Sequence, residues 1–315
     1  MLGITIGDPA GIGPEVVLKS LSFLSQKSSP KIIKNFIVIG NRKLLKQAYK
    51  KFINTHPAFN FDELFVADAF EDFSFNYGVV QKQCGVATML QLNFATYLLK
   101  TKQINAVITA PVSKEALRLA GFPFEGQTEY FAKEFGVENY GMLIWTEKVK
   151  IILVTIHMPL SDVSDLLTSQ NIFQKILLLN HYLKTAENIS RPRIGVLAFN
   201  PHGFEFTKGE EQKILSAIKK AQAKKINALG PIPADSAFLP NNKYRFDGYV
   251  AMYHDQGLLA AKLISWGGGV NLTWGLPFIR TSPLHGVAFD IAGKNIANIN
   301  SMVNALKLAQ KLSTK

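Results

Sequence analysis

Ala106-Val-Ile-Thr-Ala-Pro-Val-Ser113-Lys-Glu-Ala-Leu-Arg-Leu119 changes its hydrophobic period within one short segment. Ala106 to Ile108 is an apolar, β-branched run without polar alternation, the pattern of a strand buried on both faces. After a proline turn, Ser113 stands where a hydroxyl caps a helix N-terminus, ahead of the helical stretch Lys114 to Leu119. A strand feeding directly into a helix is the building unit of an α/β sheet. The same alternation recurs along the chain. Ile4 to Ile6 precedes a helix that Pro14-Glu15 opens over Val16 to Leu24, and further apolar runs follow at Phe36 to Ile39, Ile151 to Thr155, Ile194 to Ala198 and Gly248 to Met252. No internal repeat or low-complexity linker interrupts the pattern.

The bulk composition agrees with this class. The chain has 315 residues, 47% of them hydrophobic and 18% charged, which suits a globular protein of one large or two medium domains. Its single cysteine, Cys84, excludes an intramolecular disulfide and a thiolate metal cluster, and fits a reducing, cytoplasmic setting. No apolar run approaches the roughly 18 residues that cross a bilayer, so no membrane partner is expected. The net charge of +12 raises the question of nucleic acid. The lysines, however, concentrate in two amphipathic stretches, Lys43 to Lys51 and Lys213 to Lys225, with apolar residues at helical spacing between them. These read as solvated helix faces, and no nucleic-acid partner is expected.

Chemistry concentrates at strand ends. Of six histidines, three follow predicted strands in Pro- or Gly-bearing turns: Thr155-Ile-His157-Met-Pro, Asn200-Pro-His202-Gly and Tyr253-His254-Asp255-Gln-Gly. Ligands bind at strand C-termini in α/β sheets, and three imidazoles gathered there can hold a divalent ion with open coordination positions. The plainer alternative for each is a hydrogen-bonded turn residue. His56 and His181, in a polar loop and on a helix, read as structural or surface residues. Asp235, in Gly230-Pro-Ile-Pro-Ala-Asp235, reads either as a helix N-cap or as a ligand or partner of a metal. A cationic, amide-rich stretch follows: Lys262, Gly267-Gly-Gly-Val-Asn271 and Gly275-Leu-Pro-Phe-Ile-Arg280-Thr-Ser. Glycines allow close backbone approach while Lys and Arg supply a point charge and a planar fork, so a small anionic substrate suits it.

Both ends of the chain resemble the β-decarboxylating dehydrogenases such as isopropylmalate dehydrogenase, through Gly11-Ile-Gly-Pro-Glu-Val16 and His285-Gly-Val-Ala-Phe-Asp290-Ile-Ala-Gly-Lys-Asn-Ile-Ala-Asn298. The narrower similarity is to the 4-hydroxythreonine-4-phosphate dehydrogenases, the PdxA family. It rests on Gly7-Asp-Pro-Ala-Gly-Ile-Gly-Pro-Glu15, Thr109-Ala-Pro-Val-Ser-Lys114, Gly126-Gln-Thr-Glu-Tyr130, Asn200-Pro-His-Gly203, Pro233-Ala-Asp235, Tyr253-His-Asp-Gln-Gly257 and Gly269-Val-Asn271 through Gly286. The resemblance implies an isocitrate/isopropylmalate dehydrogenase-like α/β fold of two domains, with a mixed sheet in each and the active site in the interdomain cleft. The expected division is a discontinuous cofactor-side domain, 1–125 plus 266–315, and a metal-binding, dimerising domain, 126–265.

The resemblance also implies the chemistry. His157, His202 and His254 would bind a divalent metal (zinc, magnesium or cobalt) at the interface of a homodimer. Gln127, Thr128, Lys262, Asn271 and Arg280 would contact a small phosphorylated amino-acid substrate. His285, Gly286, Asp290 and Asn295 would contact NAD, or NADP, on the 285–298 segment, which in the β-decarboxylating dehydrogenases wraps the adenosine of the cofactor. Lys262, Asp235 and Asp255 are the candidates for proton transfer. The implied reaction oxidises 4-phosphohydroxy-L-threonine to 2-amino-3-oxo-4-phosphooxybutanoate, which decarboxylates to 3-amino-2-oxopropyl phosphate in pyridoxine 5'-phosphate biosynthesis. Gln127 departs from the histidine common at this place in the family, and keeps a threonate or erythronate phosphate open as substrate. A metal-dependent hydrolase or lyase is the reading from another class, and the His285–Asn298 pattern speaks against it.

Overall fold

The computed structural model of the chain describes residues 1–53, 57–239 and 246–314, so His56 lies outside the described residues. In chain order the strands are β1 (Leu2–Thr5), β2 (Phe36–Gly40), β3 (Phe65–Asp68), β4 (Ala106–Thr109), β5 (Gly141–Trp145), β6 (Lys150–Leu153), β7 (Arg193–Leu197), β8 (Asn227–Ile232), β9 (Gly248–Ala251), β10 (Val270–Trp274) and β11 (Ile279–Pro283). Helices separate most of them, and the chain folds as two units, Met1–Glu138 with Leu276–Lys315, and Asn139–Gly275. Both crossings fall later than the expected 125/126 and 265/266 boundaries. Packing explains the difference. The helix Gln127–Glu134 stays with the first unit because Tyr130 Oη bonds Asn93 Oδ1 (2.8 Å) and Lys100 pairs with Glu134 (2.8 Å). Residues 270–274 stay with the second unit because β10 pairs with β5.

In the first unit the strand order is β3-β2-β1-β4-β11. Every recorded pair within it is parallel, which corrects the expectation of a mixed sheet in each domain. The sequence reason is visible in β1 and β4, which are buried along their whole length as strands covered on both faces must be. Val107 joins Ile39, Leu92, Leu99, Phe131 and Phe278 in a core under the helix Lys82–Lys100. Its neighbours Ala106 and Ile108 point to the other face by strand alternation.

The second unit has the order β10-β5-β6-β9-β7-β8. Its β10–β5 and β5–β6 pairs are antiparallel and its β6–β9, β9–β7 and β7–β8 pairs parallel, so this sheet is mixed. The parallel run matters for function. It aligns the C-terminal ends of β6, β9 and β7 along one edge, and each end is followed by one of the strand-end histidines.

The two lysine-rich stretches form the helices Arg42–Phe52 and Glu210–Ala223. Leu44, Leu45, Ala48 and Phe52 face the core from the first, while Lys43, Lys50 and Lys51 on it are not buried. Among the described residues no helix is long and apolar enough to cross a membrane.

One buried acid in the first unit sets a pH dependence. Asp8, fully buried in the turn after β1, takes a bond from Ala10 N–H at Oδ1 (2.9 Å) and lies beside the Cys84 thiol. Burial raises its pKa from 3.8 to about 6, against smaller opposing effects of the Ala10 N–H and the Cys84 thiol. Burial and the neighbouring Asp8 push the Cys84 thiol up to about 12, so it is an inert core group. The Asp8 carboxyl holds its proton more tightly folded than unfolded. Its contribution is therefore fully present below about pH 4 and is lost as pH rises through about 6. The span is on the order of 3 kcal/mol. Denaturant midpoints should fall between pH 4 and 7 more steeply for the parent than for Asp8→Asn, and parallel curves would contradict the assignment.

Candidate functional site

In the second unit, local hydrogen bonds bring two histidines together. Thr155, just past β6, donates both its N–H (3.2 Å) and its Oγ1–H (2.7 Å) to the Met252 carbonyl at the end of β9. His157 and His254 each stand two residues beyond this tie, and their ring centres lie 5.7 Å apart. His254 begins the helix His254–Ser265, and its Nδ1 bonds Asp255 Oδ1 at 2.8 Å, which leaves Nε2 to face a ligand. With nitrogen–metal distances of about 2.0–2.1 Å, two rings at this spacing are within reach of one shared ion. Asp255 thus has a positioning task, which sets it apart from the other two proton-transfer candidates.

His202 follows β7 on the same edge but is not drawn into that pair. It adopts a left-handed backbone (φ 56°), its Nδ1 lies 3.5 Å from Glu205, and its ring packs on Phe206. The turn that carries it is firmly held. Asn200 N–H and Nδ2 bond the Glu211 carboxylate (2.8 and 2.9 Å), and Asn200 Nδ2 also reaches Glu210 (3.2 Å). Burial alone would raise Glu210, but bonds from Ser164, Lys208 N–H, Asn200 and its own N–H outweigh it and hold the carboxyl at about 2. Among the described residues of one chain, no group of three or more His, Cys, Asp or Glu side chains is arranged to hold a metal.

Asp235 lies within the short helix Ala234–Ala237, after Pro233 at the cap position, so it is an exposed first-turn residue and not the N-cap. Lys262 is exposed on the helix His254–Ser265. Asn271 is half-buried on β10, with its Oδ1 enclosed and without a partner. His181 is an exposed helix residue whose Nδ1 accepts a bond from Trp274 Nε1 (3.2 Å).

The first unit buries a cation, Arg280. The side chain is almost fully buried on β11, donating from its two terminal nitrogens to Thr128 Oγ1 (3.0 Å) and Thr109 Oγ1 (2.7 Å). Burial lowers its pKa to about 10, opposed by the nearby Glu129. Gln127 and Thr128 open the helix Gln127–Glu134 behind Gly126, which offers no capping side chain, so the first-turn N–H groups point at the same region. Gln127 is buried. Its Nε2 makes a long bond to Ala110 O (3.4 Å) and its Oε1 has no partner. Thr109 was missed from sequence, although it stands in the Thr109–Lys114 segment that carries the family likeness. Its position at the C-terminal end of β4 was the available signal.

His285, Gly286, Asp290 and Asn295 lie on the helix- and strand-free segment 284–299 of the first unit. Asp290 and Asn295 are exposed, and Gly286 has open space where a side chain would stand.

The family described as pyridoxal phosphate biosynthetic protein PdxA matches residues 32–309. The chain belongs to the PdxA family. It is 38% identical to the 4-hydroxythreonine-4-phosphate dehydrogenase of Sulfurihydrogenibium sp. over 98% of this chain and 97% of that one. It is 37% identical to the D-threonate 4-phosphate dehydrogenase of Salmonella typhimurium, covering 99% and 98%. The crystal structure of 4-hydroxythreonine-4-phosphate dehydrogenase from Klebsiella pneumoniae superposes with a TM-score of 0.84 at 34% identity, covering 100% of this chain and 98% of that one. The PdxA member described here is accordingly an oxidoreductase of a pyridoxal phosphate biosynthetic family, with an α/β fold.

Proposed function

We propose that this PdxA chain oxidises 4-phosphohydroxy-L-threonine with NAD and a divalent cation, on the two-domain plan of the isopropylmalate dehydrogenases. The observation that carries the reading is the His157–His254 pair, with Asp255 fixing the His254 ring. Two imidazoles on adjoining strand ends fit zinc, cobalt or magnesium with room for substrate oxygens. The third ligand in this reading is His202 of the partner subunit. A homodimer is supported by the apolar stripe on the helix that His254 begins, where Leu259, Leu263 and its cap Trp266 are 63%, 69% and 83% exposed.

When bound, the cation supplies Lewis acidity at the substrate hydroxyl, and the dinucleotide accepts the hydride. The chain's own groups do the rest. Arg280, Thr128 and the N–H groups opening the helix Gln127–Glu134 receive the phosphate. Asn271 Oδ1 accepts from a substrate ammonium or hydroxyl. With Asp255 engaged by His254, Asp235 and Lys262 are left to take the hydroxyl proton. Oxidation places a ketone β to the carboxylate, and loss of carbon dioxide delivers its electron pair to that ketone, giving 3-amino-2-oxopropyl phosphate.

Purified protein should reduce NAD with 4-phosphohydroxy-L-threonine at a higher kcat/KM than with D-threonate 4-phosphate or an erythronate phosphate. The second reading, a threonate phosphate, is supported by the near-equal identity to the two kinds of relative. A reversed order in a side-by-side assay would select it.

Asp290 sets the cofactor preference. Its carboxylate accepts from ribose hydroxyls but repels a 2'-phosphate, so NAD should be favoured, and Lys294 nearby makes this a preference and not an exclusion. Asp290→Lys should move the kcat/KM ratio toward NADP with metal content unchanged. Parent activity with NADP equal to that with NAD would defeat this assignment.

A further inference from the structure

Segment 284–299 has neither helix nor strand, yet its backbone is tied repeatedly to the start of the helix Gly13–Lys27. Ile12 N–H donates to Val287 O (2.9 Å). Farther along, Glu15 Oε1 accepts from Ala297 N–H (2.9 Å) and from Lys19 Nζ (3.0 Å), and the same Lys19 ammonium donates to Asn295 O (3.1 Å). One carboxylate and its own i,i+4 lysine therefore grip the segment on both sides of Ile296. Asn295 between these ties has φ 62°, a left-handed conformation that a residue with a side chain keeps only when its surroundings impose it.

The burial of the pair separates this from ordinary helix stabilisation. A Glu–Lys pair at i,i+4 on a solvated helix adds little. Here the Glu15 side chain is 1% exposed and Lys19 24%, and their remaining bonds reach residues some 280 positions away along the chain. A buried carboxylate is stable only with partners of this kind, and the partners found are the lysine and the loop backbone.

We propose that Glu15 and Lys19 are positioning residues for the dinucleotide, holding the turn at Asn295 in the conformation that receives the adenosine. The inference rests on the reading of 285–298 as the adenosine loop. A loop held in advance binds without first being ordered, and releasing it lowers the populated competent fraction. The loss falls on every dinucleotide alike, since the clamp touches backbone and not the 2' position.

The test uses the full-length, metal-loaded protein carrying Lys19→Met, with the double variant Lys19→Met/Glu15→Gln, which keeps an acceptor for Ala297 N–H without leaving a lone buried charge. Titration calorimetry with NAD and with NADP should show both dissociation constants raised by a similar factor, on the order of tenfold. Hydrogen exchange at the Ala297 amide should quicken in Lys19→Met, while kcat at saturating dinucleotide and KM for the phosphorylated substrate stay at parent values. Unchanged dinucleotide affinity in both variants overturns the clamp. A parallel rise in substrate KM does so too, because it marks general loss of structure. Asp290→Lys separates the two levels: if it shifts the NAD-to-NADP ratio while the Lys19 variants bind normally, the clamp alone is wrong. If Asp290→Lys shifts nothing, the loop reading falls and the clamp with it.

Discussion

His157→Ala and His254→Ala should each reduce turnover to background and strip the bound divalent metal, with the circular dichroism spectrum and melting behaviour of the parent retained. The two rings share an edge of the second unit, 5.7 Å apart, and neither is a core residue, so their removal leaves no large cavity. In the proposed three-nitrogen site, loss of one imidazole would take away both affinity and the fixed placement of the substrate hydroxyl. His202→Ala should behave in the same way for a different reason. In one chain its ring lies against Phe206 and close to Glu205, and in the proposed dimer it completes the partner's site. Mixing inactive His157→Ala and His202→Ala proteins, with subunit exchange, should then restore part of the activity, because one site of each mixed dimer regains a complete ligand set. Mixtures that stay inactive, with exchange verified, would remove His202 from the shared site. Full metal content and turnover in any single variant would remove that residue. Asp255→Asn should be milder, lowering metal affinity by roughly 10- to 100-fold, as loss of an orienting partner does.

Arg280→Ala should raise KM for the phosphorylated substrate by roughly 10- to 150-fold, since a buried phosphate would lose a charge-assisted partner worth about 1.5 to 3 kcal/mol. The effect should shrink for an analogue without phosphate. Arg280→Lys is the informative intermediate. It keeps a cation but cannot reach Thr128 and Thr109 together as the guanidinium does at 3.0 and 2.7 Å, so its KM should lie between parent and Ala. Lys262→Ala should raise KM as well, but less, because Lys262 is exposed where Arg280 is buried. Equal losses on phosphorylated and unphosphorylated analogues would mean that Arg280 does not read phosphate.

Much of the fold was legible in the sequence, and most of the parts that were not have identifiable causes. The six apolar runs from Ile4 to Met252 all lie on or against strands, because strands covered on both faces leave an unbroken hydrophobic signal. β3 was hidden because its residues are half-exposed or exposed, which removes that signal. β8 was hidden because Gly230-Pro231 falls inside it, and proline reads as a strand breaker. β10 and β11 were hidden within Gly267–Pro283, where glycines and charged residues read as a binding loop while the backbone is extended around Asn271 and Arg280. At the site, the strand-end position of each histidine was legible from its neighbours, but the turn reading failed for His254, which opens the helix His254–Ser265. Their grouping was not legible. Which strand ends adjoin depends on sheet order, and β9 lying between β6 and β7 is a long-range fact that no local period encodes. Asp235 misled for a local reason: Pro233 already occupies the cap position, which places the carboxylate inside the helix. Glu15 stood in the quoted Gly11–Val16 segment, but its bond to Ala297 lies 282 positions away in sequence.

The most direct test of the account is metal reconstitution of the purified protein, read by nicotinamide absorbance. Protein stripped by a chelator should fail to reduce NAD with 4-phosphohydroxy-L-threonine, and zinc, cobalt or magnesium should restore the reaction in the parent but not in His254→Ala. Undiminished NAD reduction by metal-free protein, or none by metal-loaded protein with any phosphorylated hydroxy acid, would contradict it.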